Sequence, residues 1–196
     1  MSADFPPIHS FTLVRSTAGD PIQGIVQAFS ERAVEVTRDV IIGPPEVCPD
    51  LVGQADEFWF HTDGVFLDHP PRWVIVQILE AKHGGQLQVV NATGLHDKLP
   101  PGDVLFGNSR KGVIRPLVTN VGDERVIRYR QDYMHQIAGG ADIETAHLMV
   151  REHAREHATP LSPLEPYDCL VLDNWYVMHR RKKFTGRRII RRIWLS

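Results

Sequence analysis

The sequence predicts a mainly β fold with flanking helices, built as two antiparallel sheets packed face to face. Three observations carry this. Short apolar or β-branched runs recur along the chain, each closed off by proline or glycine. Only two stretches hold a helical period. One run, Trp73-Val74-Ile75-Val76-Gln77-Ile78-Leu79, is apolar on both faces, as expected of a strand covered on both sides.

In chain order, Phe11 to Arg15 reads as a short strand. Ile22, Ile25, Val26, Phe29, Ala33 and Val36 recur at close to helical spacing, which predicts a helix over 22–40, stopped by Gly43-Pro44-Pro45. Glu57 to His61 is a second strand, and 73–79 is the central one. Gln86 to Val90, Val113 to Val118 and Arg125 to Tyr129 follow as further strands. Ile143, Ala146, Met149, Val150 and Ala154 mark the apolar side of a second helix over 142–157. Cys169 to Leu172 and Arg188 to Leu195 close the chain as strands. Two sheets of this kind form a jelly-roll, the cupin-like arrangement.

Composition fits one domain over 1–196, long enough to bury a core. A net charge of -2 with 42% hydrophobic residues excludes a disordered or grossly basic chain. No apolar run reaches the roughly 20 residues that span a bilayer. Met1-Ser2-Ala3-Asp4 lacks the basic start of a signal peptide, and a cytoplasmic location is expected. Cys48 and Cys169 are too few for a disulfide scaffold and read as free thiols. Nothing in the pattern specifies an oligomeric state.

The chemistry concentrates at Phe60-His61-Thr62-Asp63-Gly64 and at His179. Residues i and i+2 of a strand point to one side, so His61 and Asp63 can reach one metal while Thr62 faces away. A second histidine 116 positions later completes a two-histidine, one-carboxylate set, which leaves positions open on Fe(II) for oxygen chemistry.

The surrounding motifs carry a resemblance. His61-Thr62-Asp63-Gly64-Val65-Phe66, Pro70-Pro71, Gly84-Gly85, Leu172-Asp173-Asn174, His179 and Arg187-Arg188-Ile189-Ile190-Arg191-Arg192 occur in order over about two thirds of the chain. In this the chain resembles the taurine dioxygenase and clavaminate synthase-like (TauD/TfdA) Fe(II)/2-oxoglutarate oxygenases. The resemblance implies a short version of the double-stranded β-helix, with His61, Asp63 and His179 as catalytic iron ligands. It implies 2-oxoglutarate and O2 as cosubstrates, with hydroxylation as the default outcome. It also places Arg188 on the C5 carboxylate of 2-oxoglutarate, where a guanidinium fork suits the planar group. Arg192 then becomes a candidate for an acidic group on a small-molecule substrate, with Phe66 beside it. Where such chains usually place a Thr or Ser after the Gly-Gly pair, this one has Leu87.

Strand alternation agrees with the arginine assignments. Arg188, Ile190, Arg192 and Trp194 share one face, with the two guanidinium-bearing residues roughly 13 Å apart. Arginines beside apolar neighbours on an inward face need anionic partners. Arg180, Arg181, Lys182, Lys183, Arg187 and Arg191 are expected to face solvent.

Three rival readings use other features. His153-Ala154-Arg155-Glu156-His157 spells the inverted zinc-peptidase pattern, but only 39 residues follow it, and its helix reads as amphipathic with a charged outer side. The basic run over 180–192 suits a nucleic-acid partner, against a net charge of -2. A cupin-like binding protein without chemistry would not need the intact triad.

Overall fold

A computed structural model describes residues 9–16, 19–48, 56–108 and 111–196. The expectations that fall on 1–8 and 49–55 lie outside the described residues. In chain order the elements are β1 (Phe11–Val14), α1 (Ile22–Ser30), β2 (Val36–Ile42), β3 (Phe58–His61), β4 (Trp73–Gly84), β5 (Leu87–Asn91) and β6 (Asp103–Asn108). There follow β7 (Lys111–Pro116), β8 (Val118–Val121), β9 (Glu124–Ile127), β10 (Met134–His135), α2 (Ile143–His157) and β11 (Thr159–Pro160). The chain closes with β12 (Cys169–Asp173), β13 (Val177–Arg181) and β14 (Phe184–Leu195).

Two sheets form the body. The larger runs β1-β12-β4-β14-β2 and the smaller β11-β5-β13-β3. The apolar residues of successive strands explain why they face each other. Val74, Val76 and Ile78 of β4, Leu170 and Leu172 of β12, and Ile190 and Trp194 of β14 meet Leu87 and Val89 of β5 and Val177 of β13. The alternate residues of the larger sheet point outward. Trp73, Ile75, Cys169, Val171, Ile193 and Leu195 pack under Ile22, Ile25 and Phe29 of α1. The outer face of the smaller sheet, through Phe60, Val90 and Met178, is covered by Ala146, Val150 and Ala154 of α2. The first part of β4, over 73–79, therefore reads as apolar on both faces apart from Gln77, because both of its faces are covered, as its sequence predicts.

Helix α1 has no side-chain cap at Pro21. Its stability comes from burial of three large side chains, each worth about 1.5–3 kcal/mol. α2 is capped in the ordinary way: the Asp142 carboxylate accepts from the Thr145 backbone N–H at 3.0 Å.

Four sequence expectations need correction. The helix predicted over 22–40 stops at Ser30, Ala33 takes a left-handed φ of 58°, and 36–42 forms β2 on β14. Val36, Thr37, Val40, Ile41 and Ile42 are β-branched, so strand pairing outweighs a period that six apolar residues happened to fit. The strand predicted over 113–118 is broken at Leu117, whose buried backbone instead pairs with Gly102 and Arg128. Strands β6 and β13 fall where no strand was expected; β13 is short and its second half is basic. The fourth correction concerns the basic run. Arg181 is only 9% exposed, and Arg180 packs over Trp59 and Phe60 while bonding Gln88 and Glu57.

Candidate metal centre

Pairing of β3 with β13 sets His61 directly opposite His179, with ring centroids 4.1 Å apart. β3 ends at His61, so Asp63 sits in the turn that follows rather than on the strand itself. It still points to the same side. One donor atom from each of His61, Asp63 and His179 falls within 4.8 Å of the others, and all three residues are buried.

The protonation states suit a cation. The Nδ1 of His61 faces the Trp59 carbonyl at 2.9 Å, so with its proton there the Nε2 lone pair is free, and that atom is buried without a hydrogen-bond partner. The Nδ1 of His179 is likewise buried and unpartnered. Burial, then the neighbouring His179 and Arg130, hold His61 well below the usual imidazole range despite the raising effect of Asp63. Burial also brings His179 down to about 4, helped by Arg192 and Arg130 and opposed by Asp63. Burial would raise the Asp63 carboxyl, but Arg192, both imidazoles and the Trp194 indole N–H outweigh it and leave it lowered. At neutral pH this is two neutral imidazoles beside one carboxylate. Two buried, unpartnered imidazole nitrogens and one buried carboxylate fit a divalent transition metal with open positions.

The turn carrying Asp63 is braced from several sides. Asn174 accepts from the Asp63 backbone N–H at 2.7 Å and donates to the Asp63 carbonyl at 3.1 Å and the Pro71 carbonyl at 2.9 Å. Thr62 faces away, as its alternation predicts, and its hydroxyl bonds the Ile127 carbonyl and the Tyr129 N–H, both at 3.1 Å. Gly64 has a φ of 71°, and a Cβ there would come within 2.5 Å of Pro71. Buried Arg128 donates to the carbonyls of Val65, Leu67 and Asp68. The larger sheet adds Arg192, 3.0 Å from Asp63 Oδ1, and Trp194, whose indole donates to Oδ2 at 3.1 Å.

The remaining sequence candidates fall as follows. Arg188, Arg192 and Trp194 lie on the inward face of β14, with Ile190 and Trp194 in the inter-sheet core, while Arg191 turns outward to Asp39. Half-buried Arg188 has no carboxylate partner among the described residues, and burial together with nearby Arg181 lowers its pKa to about 10. Arg192, expected on the substrate, is already engaged with Asp63. Phe66 is 38% exposed in the segment after the metal-ligand turn. Leu87 points into the core, Gln86 bonds the Leu161 carbonyl and Gln88 bonds Arg180, so neither glutamine supplies the missing hydroxyl's contact. On α2, His153 bonds the Asn91 carbonyl and Glu156 and His157 are exposed, away from any cluster of metal donors among the described residues. The basic run is largely neutralised by Glu57, Asp56, Glu46, Glu80, Asp39 and Asp63. The bracing roles of Arg128 and Trp194 had no sequence signature, and Asn174 could be found only as part of the Asp173-Asn174 run.

Comparison with known proteins gives a partial family match and a shared fold. Residues 107–194 match the Taurine catabolism dioxygenase TauD, TfdA family. That segment is somewhat under half of the chain. It includes His179, Arg188 and Arg192, whereas His61 and Asp63 precede it. No curated protein sequence matches. Among solved structures, a taurine dioxygenase from Burkholderia xenovorans is 20% identical over 95% of this chain and 76% of its own, with a TM-score of 0.65. The non-heme iron oxygenase OrfP in complex with Fe is 14% identical over 95% and 75%, also at 0.65. An asparagine oxygenase in complex with Fe(II), 3-hydroxyasparagine and succinate is 18% identical over 71% and 50%, at 0.54. The chain thus spans about half the length of that enzyme, and these likenesses establish the double-stranded β-helix fold. Among the described residues, no helix is long and apolar enough to cross a membrane.

Proposed function

We propose that this chain is a TauD/TfdA-type Fe(II)- and 2-oxoglutarate-dependent oxygenase, one catalytic domain over 1–196, that hydroxylates a C–H bond of a small acidic molecule. One observation supports this above the others: three buried donors within 4.8 Å, two of them imidazoles carrying unpartnered nitrogens and the third an ionised carboxylate. His61, Asp63 and His179 would hold the metal. Fe(II) with 2-oxoglutarate supplies O2 activation coupled to decarboxylation of the cosubstrate to succinate and CO2. The chain's own residues do the rest. Arg188 binds the distal carboxylate of the cosubstrate and so fixes its direction. Arg192 and Trp194 keep Asp63 ionised and aimed. The inter-sheet core of Ile190, Trp194, Val89 and Val177 keeps water from the inner wall.

For the substrate, an amino acid or related carboxylate fits best. The solved asparagine oxygenase holds 3-hydroxyasparagine, and an OrfP mutant holds (3S)-hydroxy-L-Arg. Phe66 and Trp59, both partly exposed near the metal strand, offer an apolar rim for the substrate's carbon chain. Desaturation and ring closure would use the same residues.

The test is anaerobic addition of Fe(II) and 2-oxoglutarate, with difference spectroscopy. Bidentate chelation gives a visible charge-transfer band that neither component shows alone. If no band forms while the protein stays folded and binds Fe(II), the 2-oxoglutarate reading is wrong.

A further inference from the structure

Resting on that functional reading, we propose that Arg181 is a second cation of the pocket for the distal carboxylate of the 2-oxo diacid, acting together with Arg188. The two reach it from opposite sheets. Arg181 closes β13 two residues after His179, so it stands on the same inward strand face as that imidazole, roughly 7 Å further along. Arg188 comes from β14 in the facing sheet. One aromatic ring carries both: the Arg181 guanidinium carbon is 4.6 Å from the Phe184 centroid and that of Arg188 is 5.9 Å away. Gly85 closes the Arg188 side, since a Cβ there would lie 3.4 Å from the Arg188 Cδ and Nε.

Two positive groups held this close, one at 9% exposure and the other half-buried, repel each other and lose hydration. Asp56 lies near Arg181 and donors on Arg181 bond the carbonyls of Asp56 and Lys182. Arg188 has no such acid among the described residues. A carboxylate reaching Arg188 beside Arg181 would offset the repulsion between the two cations, and the Arg188 fork matches its two oxygens. The strand register explains the arrangement. The cross-strand partner of Arg181 is Leu87, whose side chain offers no donor to a carboxylate. A charged residue on β13 thus supplies what β5 lacks at this level of the barrel.

The experiment measures anaerobic binding of 2-oxoglutarate and of 2-oxobutanoate, which keeps the chelating end but lacks the distal carboxylate, to the Fe(II)-loaded protein by calorimetry. Arg181→Gln, which keeps an amide donor for the backbone contacts, is expected to weaken 2-oxoglutarate at least tenfold and to leave 2-oxobutanoate within twofold. Arg181→Lys retains charge without the fork and is expected to weaken 2-oxoglutarate alone, by a few-fold; it carries the test should the glutamine variant fail to fold. Equal weakening of both ligands would mean that Arg181 only shapes the strand end, and unchanged 2-oxoglutarate binding would remove it from the pocket; either overturns the proposal. Arg188→Leu separates this from the functional reading. If it alone weakens 2-oxoglutarate, the cosubstrate stands and only Arg181 falls. If neither arginine variant affects 2-oxoglutarate, the cosubstrate assignment falls with it.

Discussion

Asn174 holds the backbone of Asp63 at both ends, accepting from its N–H at 2.7 Å and donating to its carbonyl at 3.1 Å. The amide reaches it from the turn between β12 and β13, so the strand that delivers His179 is tied to the turn that delivers Asp63. Asn174→Ala should leave these buried groups unsatisfied, at about 1–3 kcal/mol for the loss. Metal affinity should fall as well, because the two ligand-bearing segments are no longer locked together. Chemical unfolding and metal titration of the variant read the two effects separately. A variant that loses stability but keeps full metal affinity would show that Asn174 supports the fold without setting the ligand geometry.

Asp63→Ala tests the triad directly. It leaves two neutral imidazoles, and Arg192 then lies beside them with no carboxylate to balance it. Fe(II) binding and product formation should both be lost, as measured by metal content after gel filtration and by succinate release. Normal turnover in this variant would refute the assignment of Asp63 as a ligand.

The motif on α2 makes the opposite prediction. His153 faces the Asn91 carbonyl at 2.7 Å, and His157 and Glu156 are exposed. Replacing both histidines by alanine should leave metal stoichiometry and 2-oxoglutarate consumption within about twofold of the parent. Loss of bound metal with the fold retained by circular dichroism would revive the zinc-peptidase reading.

Much of the site was legible because its signals are local. Alternation points His61 and Asp63 one way and Thr62 the other, an orientation the turn keeps although Asp63 lies past the end of β3, and it puts Arg188, Arg192 and Trp194 on one face of β14. The covered strand β4 shows in a run over 73–79 that is apolar on both faces but for Gln77. What escaped the sequence depends on pairing between distant segments. Nothing near Arg128 says that its guanidinium will gather three carbonyls from 65–68. Arg181 reads as part of a solvated basic run until β13 is seen to pair with β5 and turn it inward. The stretch 36–42 failed for the same reason: its period fits a helix, and only the free edge of β14 makes it a strand.

Asp142 gives a pH-dependent prediction away from the site. Its carboxylate accepts from the Thr145 N–H at 3.0 Å and the Thr145 hydroxyl at 2.7 Å, and those backbone and hydroxyl donors lower its pKa in the folded protein. A group lowered on folding contributes stability that is present above its unfolded pKa, about 3.9, and is lost as pH falls through the folded value. Asp142→Asn keeps a capping acceptor but cannot titrate. The stability difference between parent and variant should therefore be flat from pH 7 to about 5 and shrink below pH 4. Thermal unfolding across that range checks it; a difference that grows on acidification contradicts the capping role.

Arg192 has two claims on it, and they predict different kinetics. The family resemblance makes it a candidate for an acidic group on the substrate. The structure sets it 3.0 Å from Asp63 Oδ1, with Trp194 on the other oxygen. Removing one partner of a buried pair typically costs about 3–5 kcal/mol. Arg192 keeps some contact with solvent, so the metal-free Arg192→Ala protein should lose about 3 kcal/mol, or roughly 6–12 °C in Tm for a chain of this size. A divalent metal supplies the missing positive charge, so the loaded variant should recover most of that deficit. This recovery is a readout that a purely packing role for Arg192 would not show. If Arg192 mainly aims Asp63, the variant should bind metal more weakly and lose kcat with little change in KM for the primary substrate. If it mainly holds the substrate, metal affinity and uncoupled 2-oxoglutarate decarboxylation should stay near the parent while the substrate KM rises at least tenfold. The ion pair with a metal-ligand carboxylate favours the first pattern, because a guanidinium already spent on Asp63 must leave it before it can grip a second anion.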